Sequence, residues 1–258
     1  MGWEQAGVAW NARALDWAYL MELQFVPVYA ALGDHLDVGP GATLLDVGCG
    51  SGGGLRHLST RGCSVAGIDA AAGLLDIARA RLPGADLRLG TMTELPWQDA
   101  TFSHIIGVNA FIYADDGALA DACRVIRPGG LLGIGFWQDP RDFGWALAAL
   151  GAALAPYVGD DDAHTPLRMA DPEVAAGLLG QAGFEVVASG SVLGTSEFAD
   201  VDQAYRALAS TGMIYPLIEH DAEAELKTQT LAALATLFDP SHGIRMSAQF
   251  GWLVARRR

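Results

Sequence analysis

The residues with the clearest chemical pattern form a glycine-rich stretch over positions 46–54. Gly48, Gly50 and Gly53 have the spacing GxGxxG, which is typical of a tight turn between a strand and a helix whose backbone N–H groups face a ligand. Asp69 lies further along, at the end of the next predicted strand, where a carboxylate can bind the hydroxyl groups of a ribose. The pattern therefore predicts a site for a ligand that carries a ribose.

Asp46, two residues before Gly48, distinguishes between two classes of such ligand. NAD would place a pyrophosphate on the glycine-rich loop, and a neighbouring carboxylate would oppose that charge. S-adenosylmethionine has no phosphate. It carries a sulfonium and an ammonium group that Asp46 can attract, and a carboxylate that the N–H groups of the loop can bind. Charge therefore favours S-adenosylmethionine, with an NAD-dependent oxidoreductase as the alternative.

Alternating strands and helices are expected to position this loop. Continuous apolar runs, typical of strands that are buried on both faces, lie at 43–47, 64–69, 86–90, 104–108 and 131–136. Helical patterns lie between them at 53–61, 73–82 and 117–126, and Pro128-Gly129-Gly130 is expected to end the last helix. This alternation predicts an α/β fold with a doubly wound parallel sheet and a ligand at the carboxyl ends of its strands.

The rest of the chain is expected to add two strands and a set of helical caps. A helix is predicted over 173–182, ended by Gly183, with strands over 184–189 and 247–255. The remaining segments, 1–36, 137–171 and 191–243, have mostly helical patterns. We therefore expect one domain, 1–258, made of an N-terminal helical cap (1–38), a cofactor-binding core (40–137) and two lid insertions (138–172 and 191–243).

Composition excludes several classes of function. The 258 residues carry 16 Lys and Arg against 30 Asp and Glu, and Lys227 is the only lysine. A nucleic-acid partner is not expected, because binding to a polyanion needs clustered cations. Cys49, Cys63 and Cys123 lack metal-ligand or disulfide spacing. No signal peptide is apparent and the longest apolar stretch, 145–158, is too short to span a bilayer, so we expect a cytoplasmic protein without a membrane partner.

Four segments, in order, resemble the class I S-adenosylmethionine-dependent methyltransferases, in the branch that acts on small molecules: LLDVGCGSGGG, IDAAAGLLDIARARL, LRLGTMTELPWQDATFSHIIGVNAF and RVIRPGGLL. The resemblance implies a Rossmann-like sheet of seven mostly parallel strands ordered 3-2-1-4-5-7-6, with the last strand antiparallel. It also implies that the cofactor is held by Asp46, Gly48, Gly50, Asp69, Ala70, Thr91, Met92 and Asn109. Thr91 stands where the family usually has an acid, so its bond to the adenine amino group would be neutral and weaker.

The acceptor is expected to be an apolar or aromatic small molecule that is methylated at O, N or C. Residues 109–112, Asn-Ala-Phe-Ile, lack the Asn/Asp-Pro-Pro-aromatic motif of the methyltransferases that act on amino groups of nucleic acids. Transfer from a sulfonium is an in-line displacement, so the protein mainly has to align two groups. His164 and His220, in the predicted lids, are candidate bases for an acceptor that must lose a proton. Candidate walls of an acceptor pocket are Trp17, Tyr113, Trp137, Tyr157 and Tyr215.

The N-terminal segment carries an aromatic repeat, because Trp3, Trp10 and Trp17 recur every seven residues. On one helix they would form a single stripe, which is expected to pack over the edge of the sheet or to wall the acceptor pocket.

Besides the NAD-dependent oxidoreductase, three alternatives stay open from the sequence. The Asp160-Asp161-Asp162-Ala163-His164 run has ligand chemistry for a metal, but adjacent residues rarely converge on one ion, so a solvated loop and no metal are expected. An adenosylmethionine-binding biosynthetic enzyme of the same fold that catalyses a non-methylating step is the main functional rival. A binding protein without catalytic activity is the other.

Overall fold

The computed structural model describes residues 2–139, 144–157 and 171–258. Its centre is a seven-stranded sheet with the order β3-β2-β1-β4-β5-β7-β6. The strands are β1 (Thr43–Val47), β2 (Ser64–Asp69), β3 (Asp86–Leu89), β4 (Phe102–Val108), β5 (Ile126–Asp139), β6 (Phe184–Phe198) and β7 (Ile244–Arg257). The pairs from β3 to β5 are parallel, and β7 runs antiparallel to both β5 and β6. The predicted doubly wound sheet and its strand order are confirmed.

Helices and turns connect these strands. The helices are α1 (Trp3–Asn11), α2 (Ala14–Asp16), α3 (Val26–His35), α4 (Gly53–Ser59), α5 (Ala72–Arg81), α6 (Asp116–Val125), α7 (Gly144–Leu154), α8 (Pro172–Gln181), α9 (Val201–Leu208), α10 (Tyr215–Glu219) and α11 (Glu223–Ala235). A π-helical turn (Trp17–Met21) and a 3₁₀ turn (Glu22–Phe25) join α2 to α3. Within the described ranges, no helix has the length and apolar composition needed to cross a bilayer.

Consecutive residues of the central strands belong to two separate cores, one on each face of the sheet. Leu44 packs with Leu32 of α3 and Leu55 of α4, whereas Leu45 packs in a second cluster that includes Leu119 of α6. Both strand residues are fully buried. This two-sided burial explains why the strand segments are continuously apolar rather than alternating.

The sequence predicted that the Pro-Gly-Gly segment ends a helix, and this prediction is wrong. Helix α6 has already ended at Val125, and residues 128–130 lie within β5. They form an irregularity where the pairing of β5 with β4 shifts register between Phe102 and His104, and Gly129 there has a φ of +75°. Proline and glycine are found at such strand irregularities because the ladder hydrogen bonds are already interrupted.

Strand β6 also extends further than predicted. It continues to Phe198, through the start of a segment (191–243) that we expected to be mostly helical. Residues 191–198 pair residue by residue with β7 as far as Ile244. Few of them are apolar, so their strand structure comes from hydrogen bonding to β7 and carries no hydrophobic pattern that could be recognised.

The N-terminal segment and the segment between β6 and β7 are tied together by two ion pairs. Arg13 lies 2.5 Å from Glu223 of α11, and Arg206 of α9 lies 2.5 Å from Asp16. We use the name N-terminal cap for residues 3–25, the first part of the helical cap predicted over 1–38. The cap therefore contacts helices from the other end of the chain.

Candidate functional site

The glycine-rich loop leaves β1 through a turn that glycine accommodates without strain. Gly48 and Gly50 have φ values of +75° and +53°, in the left-handed region that other residues rarely adopt. A Cβ on Gly48 would also lie 2.5 Å from the Cβ of Ala110, in the segment after β4. The loop therefore packs closely against the neighbouring strand end, at the carboxyl edge of the sheet.

The carboxylate of Asp46 is buried in β1, immediately before this loop. Asp46 is 0% exposed, and no described residue donates a hydrogen bond to either of its oxygens. Burial raises its pKa well above the ordinary value, and the negative charges of Asp69 and Glu22 raise it further. An unpaired buried carboxylate is costly, so the site favours a ligand that brings a cationic hydrogen-bond donor to Asp46.

Asp69 ends β2 and joins that strand to the loop. One of its oxygens accepts the N–H of Gly50 and the other accepts the N–H of Ala71, both at 2.8 Å. Burial raises the pKa of Asp69, and these backbone hydrogen bonds partly offset the rise. A carboxylate has about four acceptor positions, so two backbone bonds orient Asp69 and leave it able to accept from ligand hydroxyl groups.

Several N–H groups of the loop, which we expected to bind a ligand carboxylate, donate within the protein. The N–H groups of Gly48 and Cys49 both donate to the carbonyl of Ile68, at 2.8 and 3.0 Å. The N–H of Gly52 donates to the Cys49 carbonyl, and the N–H of Gly53 donates to the side chain of Glu22. These four N–H groups are therefore not open to a ligand carboxylate while the loop has this conformation.

Glu22 and Arg81 fasten the N-terminal cap to the loop. Glu22, which is 7% exposed, lies 2.6 Å from the guanidinium of Arg81. Arg81 also donates to the carbonyl of Ser51 at 3.0 Å, to its hydroxyl at 2.7 Å, and to the Ala18 carbonyl at 2.9 Å. Sequence reasoning missed this cluster. The available signal was a single acid at Glu22 within an otherwise apolar stretch.

The residues expected to surround the adenine lie beside the cap and in the loop after β3. Helix α1 packs directly on Ala70, because a Cβ on Gly7 would lie 2.2 Å from the Ala70 carbonyl oxygen. The hydroxyl of Thr91 accepts the N–H of Thr93 at 3.2 Å, and Met92 packs against the core on the α6 side of the sheet. The fold therefore brings Ala70, Thr91 and Met92 to the same edge of the sheet as Asp69.

Arg124 of α6 holds the loop that follows Thr91 and Met92. Its guanidinium donates to the carbonyls of Leu95 and Trp97, at 2.8 and 2.7 Å. Asp121, which pairs with Arg124 at 2.6 Å, accepts the N–H of Leu95. This clamp was also missed, because it joins residues that are distant in sequence and carry no motif of their own.

An apolar cavity lies on the other side of the carboxyl edge. Its volume is about 30 Å³, well below the roughly 300–1,000 Å³ of small-molecule sites, so it is a narrow opening in this conformation. Its walls come from the cap, the end of β5, α7, α9, the following turn and α11: Met21, Trp137, Ala146, Leu147, Leu150, Tyr205, Leu208, Ala209, Thr211, Met213, Ile214, Leu226 and Thr230. Trp137 connects this cavity to the loop side of the site, because its backbone N–H donates to the side-chain oxygen of Asn109 at 3.0 Å.

The structure separates the residues that were expected to line an acceptor pocket. Trp137 lies on the cavity wall, and Trp17 lies between the cavity and the glycine-rich loop, 5.6 Å from Phe25 between ring centroids. Tyr113 is 52% exposed, Tyr157 is 40% exposed, and neither is among the described cavity walls. Tyr215, at the start of α10, is not among them either.

Of the two candidate bases, one is exposed and the other lies outside the described residues. His220 is exposed at the end of α10 and stacks on Tyr157 at 4.9 Å between ring centroids, away from the described walls of the cavity. His164 lies outside the described residues, as does the whole run 160–164. Within the described ranges there is no group of three or more His, Cys, Asp or Glu side chains placed to hold a metal ion.

The sheet is doubly wound, its first strand leads into a glycine-rich turn, and its second strand ends in an acid. These features define the class of Rossmann-like proteins that bind nucleosides and nucleotides. Within that class, residues 44–130 match the family described as a methyltransferase domain. The match covers the part of the chain that carries Asp46, the glycine-rich loop and Asp69.

Curated relatives cover about half of the chain. An uncharacterized methyltransferase of Mycobacterium tuberculosis is 31% identical over 131 residues, which are 50% of this chain and 52% of that protein. A demethylmenaquinone methyltransferase of Tropheryma whipplei is 37% identical over 113 residues, 42% of this chain and 47% of that protein. The chain thus spans about half the length of the curated relatives it matches.

Solved structures share the fold over most of the chain. A geranyl diphosphate C-methyltransferase from Streptomyces coelicolor, solved with Mg²⁺, geranyl diphosphate and S-adenosylhomocysteine, has a TM-score of 0.54 and 14% identity, covering 90% of this chain and 79% of that one. The [4+2]-cyclase SpnF has a TM-score of 0.55 and 17% identity, covering 90% and 80%. At these identities the likeness concerns the fold.

Proposed function

We propose that the protein is a single-domain methyltransferase that transfers a methyl group from S-adenosylmethionine to a small molecule with an apolar portion. The observation that carries this proposal is Asp46, a buried carboxylate without a partner among the described residues, next to a glycine-rich turn. Both S-adenosylmethionine and its product carry an ammonium group that satisfies such a carboxylate, and neither carries a phosphate that would be repelled by it.

In the proposed site, the ammonium, ribose and adenine groups of the cofactor each have residues of this chain to hold them. Asp46 binds the ammonium group, with the backbone around Gly48 and Asn109 beside it. Asp69, oriented by the N–H groups of Gly50 and Ala71, binds the ribose hydroxyls. The adenine lies against Ala70, Thr91 and Met92. When bound, S-adenosylmethionine supplies an electrophilic methyl group.

The acceptor is proposed to lie at the apolar cavity, whose walls have to move apart to admit it. Trp137 is on its wall, and the hydrogen bond from the backbone N–H of Trp137 to the side chain of Asn109 fixes that wall relative to the residues proposed to hold the cofactor. Aligning two reacting groups is the main demand of an in-line displacement, and a hydrogen bond between the two half-sites serves that alignment. The apolar walls exclude water and favour an apolar or aromatic part of the acceptor.

Titration calorimetry of the purified protein with S-adenosylhomocysteine and with NAD tests the cofactor assignment. Saturable binding of S-adenosylhomocysteine and none of NAD is expected; the reverse would identify a dinucleotide-dependent enzyme. A panel of apolar and aromatic acceptors, read out by release of S-adenosylhomocysteine, then tests the reaction. Cofactor binding and conversion of an acceptor without such release would identify a non-methylating enzyme of this fold.

A further inference from the structure

The indole of Trp17 lies over the glycine-rich loop in a fixed orientation. A Cβ placed on Gly50 would be 3.6 Å from Trp17 Nε1, so the N–H edge of the ring lies at the loop. The ring packs edge-to-face against Trp10, with centroids 4.8 Å apart and planes at 78°, and tilts against Phe25 at 5.6 Å. These aromatic contacts hold the indole N–H in place on the cap.

The Trp17 N–H makes no hydrogen bond to a described residue. Two loop N–H groups close to it are already used: that of Gly50 donates to Asp69, and that of Gly53 donates to Glu22. Arg81, the closest cation of the loop, is engaged by Glu22 and by the backbone. The indole of Trp17 therefore offers a ligand carboxylate at the loop an oriented donor that no described residue uses.

We propose that Trp17 Nε1 donates a hydrogen bond to the carboxylate of the amino-acid portion of the cofactor, a proposal that rests on the function proposed above. Asp46 attracts the ammonium group of that portion and repels its carboxylate, which directs the carboxylate away from β1 and towards the cap. A hydrogen bond to a charged acceptor is about twice as strong as a neutral one. Trp17 is then a cofactor-binding residue rather than a wall of the acceptor pocket.

Two ligands that differ only in the carboxylate give the direct test. Calorimetry compares S-adenosylhomocysteine with its decarboxylated analogue on the wild type, on Trp17→Phe, which keeps an aromatic ring without the N–H, and on Trp10→Phe as the matched control. We expect Trp17→Phe to weaken binding of S-adenosylhomocysteine about 10-fold or more, in line with the loss of a hydrogen bond to a charged group, and to leave the analogue unchanged. Trp10→Phe is expected to change both ligands by the same factor.

Equal weakening of both ligands by Trp17→Phe would overturn the proposal, since it would show that Trp17 only packs. A second readout needs no variant to fold: the indole N–H resonance of Trp17 in the wild type should shift on adding S-adenosylhomocysteine and stay in place with the decarboxylated analogue. The same shift with both ligands would also contradict the proposal. Failure of the wild type to bind either ligand would instead refute the proposed function.

Discussion

The side-chain oxygen of Asn109 accepts a hydrogen bond from the backbone N–H of Trp137 at 3.0 Å, which joins the end of β4 to the end of β5. Asn109 has a φ of +54°, a left-handed conformation that asparagine tolerates better than most residues, and its own N–H donates to the Gly135 carbonyl at 2.8 Å. This residue therefore fixes the distance between the loop side of the carboxyl edge and the apolar cavity.

Replacement of Asn109 should separate the hydrogen bond from the backbone strain. Asn109→Gly should lower the free energy of unfolding by about 1 kcal/mol, because it removes the hydrogen bond to Trp137. Asn109→Ala should lower it by roughly 1–2 kcal/mol more, because alanine disfavours a positive φ. Urea unfolding of both variants measures the difference. Equal losses of unfolding free energy in the two variants would show that alanine is not strained at this position and would contradict the argument from the positive φ.

Asp46→Asn should stabilise the ligand-free protein and weaken cofactor binding. The pKa of Asp46 is raised by burial and by Asp69 and Glu22, so the protonated form is favoured in the folded state. Stability is therefore unaffected by this group below its unfolded pKa and falls as pH rises towards the raised folded pKa. The stability gained by Asp46→Asn should be absent at low pH and grow across that interval in urea titrations at several pH values, while the Kd for S-adenosylhomocysteine rises about 10-fold or more. A gain that is the same at all pH values would contradict the raised pKa.

The Glu22–Arg81 pair should determine how firmly the N-terminal cap is held. Its side chains are 8% and 16% exposed, so Glu22→Gln leaves a largely buried cation without its charged partner, at a cost of about 3 kcal/mol. Arg79→Met is the control, because Arg79 pairs with Asp76 at an exposed site where the effect is expected to be under about 0.5 kcal/mol. Hydrogen exchange should show faster opening of α1 and of the glycine-rich loop in Glu22→Gln. Unchanged protection there would argue against a fastening role.

Arg124→Met should loosen the loop that carries Thr91 and Met92. Since Arg124 binds the Leu95 and Trp97 carbonyls, its loss should raise the Kd for S-adenosylhomocysteine several-fold and reduce the preference for an adenine base over hypoxanthine. Comparison of S-adenosylhomocysteine with its inosyl analogue gives that preference, which a general loss of stability would not change. An unaltered ratio of the two Kd values would confine Arg124 to a structural role.

Leu147→Trp should obstruct the apolar cavity without touching the cofactor. Leu147 lies on the cavity wall, and the next residue, Ala148, is exposed, which makes Ala148→Trp a matched control. Once an acceptor has been identified, its KM should rise in Leu147→Trp and stay near the wild-type value in Ala148→Trp, with cofactor Kd unchanged in both. Normal acceptor kinetics in Leu147→Trp would place the acceptor elsewhere.

The sheet was predictable because its determinants are local. Strands β1 and β2 have the predicted bounds, since burial on both faces leaves continuous apolar runs such as that containing Leu44 and Leu45. The extension of β6 to Phe198 was not predictable, because those residues form a strand through pairing with β7 rather than through their own pattern.

The site was predictable only where a motif marks it. The glycine-rich turn and its two acids could be placed from their spacing, whereas Glu22, Arg81 and Arg124 act through contacts between residues 26 or more positions apart. The cavity walls are drawn from six separate segments, so aromatic residues near strand ends were a weak guide: Trp137 lies on the wall, and Tyr113 and Tyr157 do not.

The most direct test of the proposed function is calorimetric titration of the wild type and Asp46→Asn with S-adenosylhomocysteine and with NAD, under identical conditions. We expect the wild type to bind S-adenosylhomocysteine at one saturable site and not to bind NAD, and Asp46→Asn to lose about 10-fold or more in affinity. Binding of NAD together with no binding of S-adenosylhomocysteine would contradict the assignment of the buried carboxylate to a cationic ligand.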